Sequence, residues 1–257
     1  MKKSTQQIAL IRWITGYGAA IATVVLLTFA CTKVASSYYA LSPRVALEEW
    51  ACYGKPGSKE SWELEQQNLL KASQFDPWNA DLYMDMGKMY EWRALSGSAW
   101  SANVKESRQK AMEYFLLAAE NRPTWALAWV NYAQSKLLNR KIDDDFYNAL
   151  ANGFRYGRWQ ADTQKKLLWL SIGIWKKLPD DLKGMVRDQI RAMLTREYNI
   201  RTIVPIALRF QWFDELDPLV TKQKDIEYVK MIRSKPKEMR KMLGGGKPKQ
   251  FVCRVAT

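Results

Sequence analysis

The chain contains no histidine in 257 residues. That absence excludes Ser-His-Asp and Cys-His catalysis, histidine metal sites and pH switching by imidazole. Cysteine is nearly absent too. Cys31, Cys52 and Cys253 are too few and too scattered for a structural zinc site or an iron–sulfur cluster. No sustained alternation of apolar and polar residues appears, so strands are not expected. The glycine run Gly244-Gly245-Gly246-Lys247 is no phosphate-binding loop. Lys241 stands where that motif needs its first glycine, and Pro248 where it needs Ser or Thr. No sugar-nucleotide motif is visible, and no cofactor is expected.

What is present begins with charge. Forty Lys and Arg against 26 Asp and Glu give a formal +14. Residues 1–33 carry +4 and residues 221–257 carry +8, which leaves +2 for the body between them. Basic ends of this kind attract anions such as lipid headgroups, nucleic acid or an acidic partner; a merely solvated tail reads the same way. With 47% hydrophobic and 26% charged residues, the chain has the composition of a folded protein.

From Trp13 to Cys31 no residue is charged. A helix of about 19 residues rises roughly 28 Å, close to the hydrocarbon thickness of a bilayer. Lys2, Lys3 and Arg12 precede the run, which places the N-terminus in the cytoplasm. Trp13 at one end, and Tyr38 and Tyr39 beyond the other, suit interfacial belts. The length of the run favours an uncleaved anchor over a cleaved signal ending near Val34-Ala35-Ser36, and over a lipoprotein signal ending at Ala30-Cys31. The expected layout is a leader at 1–7, an anchor at 8–32 and a membrane-proximal helical segment at 33–59. A helical domain at 60–220 and a basic tail at 221–257 follow.

Beyond the anchor, apolar residues recur at three and four, the period of helices. Tyr83, Met86, Gly87 and Tyr90 carry the spacing of a tetratricopeptide first helix. Ala111, Phe115, Ala118 and Pro123 carry that of its second helix. Gly87 and Ala118 are expected where two helix backbones approach closely. Weaker echoes run through Leu69, Ala72 and Pro77, through Trp129, Tyr132 and Ala133, and through Trp169, Ile172 and Gly173. On this pattern Trp129 and Trp169 are packing wedges rather than ligand stackers. Tyr90 to Ala111 exceeds the repeat, and the excess is assigned to a loop over 96–103. Asn79 is expected to cap one helix, and the Asp143-Asp144-Asp145 trio to begin another rather than hold a cation. The expected fold class is all-α: an N-terminal transmembrane helix followed by a tetratricopeptide-like helical-repeat (α-solenoid) body.

In such repeats the inner face of each first helix lines a groove. Counted from Ala80, that face presents Asp81, Met84, Lys88 and Glu91; counted from Ala126, it presents Val130 and Gln134. These are the candidate partner contacts, with an ordinary solvated face as the alternative. An N-in anchor exports everything after about residue 33 into an oxidising compartment. Cys31 lies at the membrane edge, so Cys52 and Cys253 are the candidate disulfide, against the alternative of two unrelated thiols.

The layout resembles single-pass membrane proteins of the VpsP type, found with bacterial polysaccharide biosynthesis. The residues that carry it are the anchor, Asn148-Ala149-Leu150, Gly157-Arg158-Trp159, and then Leu167, Gly173, Trp175 and Leu178-Pro179. The resemblance implies a non-catalytic scaffold or regulatory subunit of exopolysaccharide or envelope polysaccharide biosynthesis. It would sit in the inner membrane with a periplasmic body, touching membrane lipid and polysaccharide-assembly proteins but no nucleic acid. The alternative class is a carboxylate-dependent glycan-processing enzyme, for which Asp81 and Glu91 are the available carboxylates.

Overall fold

The computed structural model describes residues 2–95, 97, 101–196 and 199–234, with side chains over the same range except 2–12, 14 and 15. Among the described residues there are helices and no strands. In chain order they are α1 (Lys2–Tyr53), α2 (Lys59–Phe75), α3 (Ala80–Leu95), α4 (Ala102–Asn121) and α5 (Ala126–Leu138). Then come α6 (Asp144–Gly157), α7 (Ala161–Gly173), α8 (Asp180–Leu194), α9 (Ile200–Phe210), the single turn α10 (Phe213–Leu216) and α11 (Gln223–Ser234).

The segment expected as an anchor and most of the segment expected beside the membrane form one helix. α1 runs unbroken for 52 residues, about 78 Å at 1.5 Å per residue. Pro43 lies inside it without ending it. Its two halves live in different surroundings. Ile21, Val24, Leu26 and Phe29 are exposed, whereas Ala40, Leu47 and Trp50 are buried against the body. Among the described residues α1 is the one helix long and apolar enough to cross a membrane. The hydroxyls of Thr23 and Thr28 donate to the carbonyls of Ala19 and Val24, each at 2.9 Å, so the apolar half satisfies its own polar groups.

The body is built by helices folding back on their neighbours. α1 packs with α2, α3 with α4, and α5 with α6; α2 also meets α3, and α4 meets α5. Ala111, Phe115 and Ala118 are buried on one face of α4, with the Phe115 ring against Gly87 of α3. Trp62 of α2 is buried and its indole N–H donates to the Met89 carbonyl at 3.0 Å. Local caps fix the turns. Asn79 Oδ1 accepts from the Asp81 N–H at 3.0 Å, and Asp143 Oδ1 from the Phe146 N–H at 3.0 Å.

Two boundaries differ from the sequence reading. Ala102 and Asn103, assigned to a loop, are the first residues of α4. The surplus between Tyr90 and Ala111 therefore goes largely into longer helices. Residues 223–234, assigned to a tail, form α11, which buries Val229 and Ile232 and packs on α9. The rest of the expected tail, with Cys253 and the glycine run, lies outside the described residues.

Candidate functional site

α1, α3, α5 and α7 are bridged along one face of the body. Arg44 Nε on α1 pairs with Asp85 Oδ2 on α3 at 2.9 Å, and Lys88 pairs with Asp85 Oδ1 at 3.3 Å. Asn131 of α5 directs its Nδ2 at Met84 Sδ, 3.0 Å away, and accepts from Lys166 of α7 at its Oδ1. On each helix the residues involved recur at three and four: Asp85, Lys88 and Glu91; Asn131 and Ser135; Asp162, Lys166 and Trp169. That spacing puts them on one helical face.

At the centre of this face Glu91 Oε1 and Ser135 Oγ are buried, and the two side chains face each other without a well-formed hydrogen bond. Burial pushes the Glu91 carboxyl up from its ordinary value, while Lys166, the nearby Ser135 hydroxyl and Lys88 pull it down. Burial likewise pushes the Lys166 ammonium down; Glu91 opposes this and Lys88 adds to it. Each group is thus displaced towards its neutral form, and the two close no ion pair among the described residues. A buried polar group that lacks a good partner costs about 1–3 kcal/mol, so this pair is a weak point inside the wall rather than a surface for a ligand.

Beside this wall, α5 and α7 enclose an open cleft of about 450 Å³. Gln134, Leu137 and Leu138 form one side; Lys165, Lys166 and Trp169 form the other. Trp169 is 48% exposed and meets Phe210 edge-on at 5.2 Å. It is therefore not the interior wedge that the repeat pattern implies. Trp129 does pack inward, with its indole N–H donating to the Pro123 carbonyl at 2.7 Å. The cleft joins an apolar floor to lysines and a carboxylate at its rim, the pattern of a site for an amphipathic segment.

The candidate contacts divide three ways. Lys88 and Glu91 lie on the bridged face, with Gln134 in the adjoining cleft. Met84 and Val130 are fully buried and have no side-chain surface to offer a partner. Asp81 belongs to the other end of α3, where Arg122 grips it through two bonds of 2.9 and 3.2 Å. Asp81 and Glu91 lie about 15 Å apart along the helix axis and form no carboxylate pair. Asp85, Asn131, Ser135 and Lys166 were missed. They share the three-and-four spacing of the candidates, which was the signal available.

Two further charged groups have structural occupations. Asp143 and Asp145 flank Lys136, whose side chain is 4% exposed, at 2.8 and 3.4 Å. A second hollow of about 630 Å³ lies between Leu137 and Ile142 on one side and Trp175 and Trp212 on the other. Of its two carboxylates, Asp214 and Glu215, Glu215 is held below its ordinary value, first by the hydrogen bond from Arg187 at 2.8 Å and also by the Trp175 indole at 3.2 Å. Among the described residues no cluster of three His, Cys, Asp or Glu side chains is placed to hold a metal ion. Compared with known protein families, curated proteins and solved structures, the chain has no significant match.

Proposed function

We propose that the protein is a non-catalytic adaptor, anchored in the inner membrane by α1, which holds a protein partner in the α5–α7 cleft of a tetratricopeptide-like body. The observation that carries this reading is the open cleft beside the bridged face, lined by Leu137, Leu138, Lys165 and the exposed Trp169. Exposed aromatic and aliphatic surface supplies the apolar part of a contact, and the lysines and Asp162 beside it supply the polar part. The membrane assignment rests on the exposed, uncharged half of α1, and the periplasmic assignment on the lysines and arginine that precede it. The resemblance to VpsP-type proteins directs the reading to exopolysaccharide or envelope polysaccharide assembly.

The rival enzyme reading needs two carboxylates in one site. Asp81 is paired with Arg122 and stands nearly three turns from Glu91, which favours the adaptor. Affinity capture of the full chain from detergent-solubilised membranes tests the choice. The adaptor reading predicts reproducible recovery of polysaccharide-assembly proteins. Hydrolysis of envelope glycan by the purified protein, abolished by a single carboxylate substitution, would replace it with the enzyme reading.

A further inference from the structure

Lys33 is the first charged residue after the uncharged run of α1, so it marks where that run ends. It does not point into empty solvent. Its Nζ lies 2.7 Å from Asp76 Oδ1, in the turn between α2 and α3. The level at which α1 would leave the bilayer is therefore also the level of one edge of the body. That edge can be followed through successive contacts. Asp81, at the start of α3, is gripped by Arg122, in the turn between α4 and α5. Ala126, at the start of α5, touches the α6 end at Gly157, where an added Cβ would meet Ala126 Cβ at 2.9 Å. The following turn carries Trp159, and Arg196, just past α8, lies over its ring at 5.3 Å.

Each of these turns carries a tryptophan. Trp78 is 81% exposed and Trp159 is 66% exposed, while Trp125 is half-buried under Arg122 at 4.7 Å. Arg158 lies over Trp159 from its other neighbour position at 5.5 Å. Single exposed aromatics need no explanation. Three tryptophans at the same end of successive helix pairs, two of them exposed, on the edge from which a membrane-spanning helix departs, call for one. Asp76 and Asp81 on this edge are each paired with a cation, and Glu120 and Asp162 are its exposed acids. Tryptophan and arginine together are the side chains that settle at a lipid headgroup layer. The indole rests among acyl ends with its N–H outward, and the guanidinium grips phosphate.

We infer that the turns 76–79, 122–125 and 158–160 form a membrane-contacting edge, by which the body lies against the headgroups of the bilayer that α1 spans. The inference rests on the reading of α1 as an anchor. Its consequence is that the body is not free to swing on α1, and that the cleft is held at a fixed height above the membrane. The opposite ends of the same helices face away. Leu95, at the far end of α3, is about 24 Å from the Trp78 turn and is exposed.

Photo-cross-linking of the full chain in vesicles of phosphatidylcholine and phosphatidylglycerol tests this. Benzoylphenylalanine replaces Tyr17, Trp78, Trp159 or Leu95, one at a time; all four positions are exposed. Lipid adducts are then mapped by mass spectrometry. The expected result is adducts at 17, 78 and 159 and none at 95. Adducts at 17 alone would overturn the edge while leaving the anchor intact, as would equal labelling at 95 and 78. No adduct at 17 would overturn the anchor, and the edge with it.

Discussion

Gly87 on α3 lies flat against the ring of Phe115 on α4. A Cβ at residue 87 would meet Phe115 Cε1 at 2.5 Å and Cδ1 at 2.6 Å. The ring has nowhere to go, because Phe115 is wholly buried. Gly87→Leu is expected to destabilise the protein by about 2 kcal/mol or more through overpacking. Gly184 makes the contrast: it lies inside α8 with nothing within 4 Å of an added Cβ. Gly184→Ala is expected to stabilise by about 0.5–1 kcal/mol through helix propensity alone. Urea melts of the full chain in detergent check both; two variants of equal stability would contradict the packing described.

The close approach at Gly87 was legible in the sequence, because tyrosine, glycine, alanine and phenylalanine at set spacings leave few other arrangements. The exposed run of α1 was legible for a similar reason, since 19 uncharged residues have few other uses. Its continuity through Lys33 was not. A helix passing from an exposed apolar half to a half packed on the body stays helical throughout and only changes what covers it. The face built by Asp85, Asn131, Ser135 and Lys166 was only half legible. A polar residue that points to water and one that is buried beside a carboxylate look alike until the neighbouring helix is in place. Trp169 misled for the converse reason: it holds a packing position in the pattern, but no residue covers its outer side.

The Glu91 carboxyl sets a pH dependence. Burial raises it above its ordinary 4.5. Between 4.5 and the raised value, the folded chain keeps a proton that the unfolded chain has lost. Stability from this group is therefore full below 4.5 and declines as pH rises through the raised value. Lys166 acts in the opposite sense at alkaline pH. Its lowered value makes the unfolded chain the better proton binder up to 10.5, so stability rises with pH there. Glu91→Gln should gain stability relative to the parent as pH rises above 4.5, and the difference should then level off. A difference independent of pH would show that the carboxyl is not titrating in a buried site.

The acidic trio at the start of α6 separates capping from cation binding. Asp143 caps the helix through the Phe146 N–H and holds the buried Lys136. Asp143→Ala is expected to cost about 1–2 kcal/mol, from the lost cap and the loss of the nearer of the two carboxylates on Lys136. Asp144→Ala should change stability by no more than about 0.5 kcal/mol. Calcium or magnesium should leave both melts unmoved. A cation-dependent rise in the parent, absent from the variants, would contradict the capping account.

The cysteines report on compartment. Cys52 is the next-to-last residue of α1, and Cys31 is an exposed free thiol. Non-reducing peptide mapping of protein from native membranes should find Cys31 alkylated and Cys52 joined to Cys253. Such a bridge belongs to an oxidising compartment. Free, alkylatable thiols at both Cys52 and Cys253 would contradict the bridge, and labelling of both by a membrane-impermeant reagent only after the inner membrane is broken would contradict the exported body.

The most direct test of the account addresses the cleft itself. Lys165 and Trp169 are exposed there, so replacing them leaves the buried core alone. The double variant Lys165→Glu with Trp169→Ala should melt within a few degrees of the parent. The measurement is affinity capture of parent and variant from solubilised membranes, with recovered proteins quantified side by side. The account predicts that partner recovery by the folded variant falls at least tenfold. Equal recovery by parent and variant would contradict the α5–α7 cleft as the binding surface.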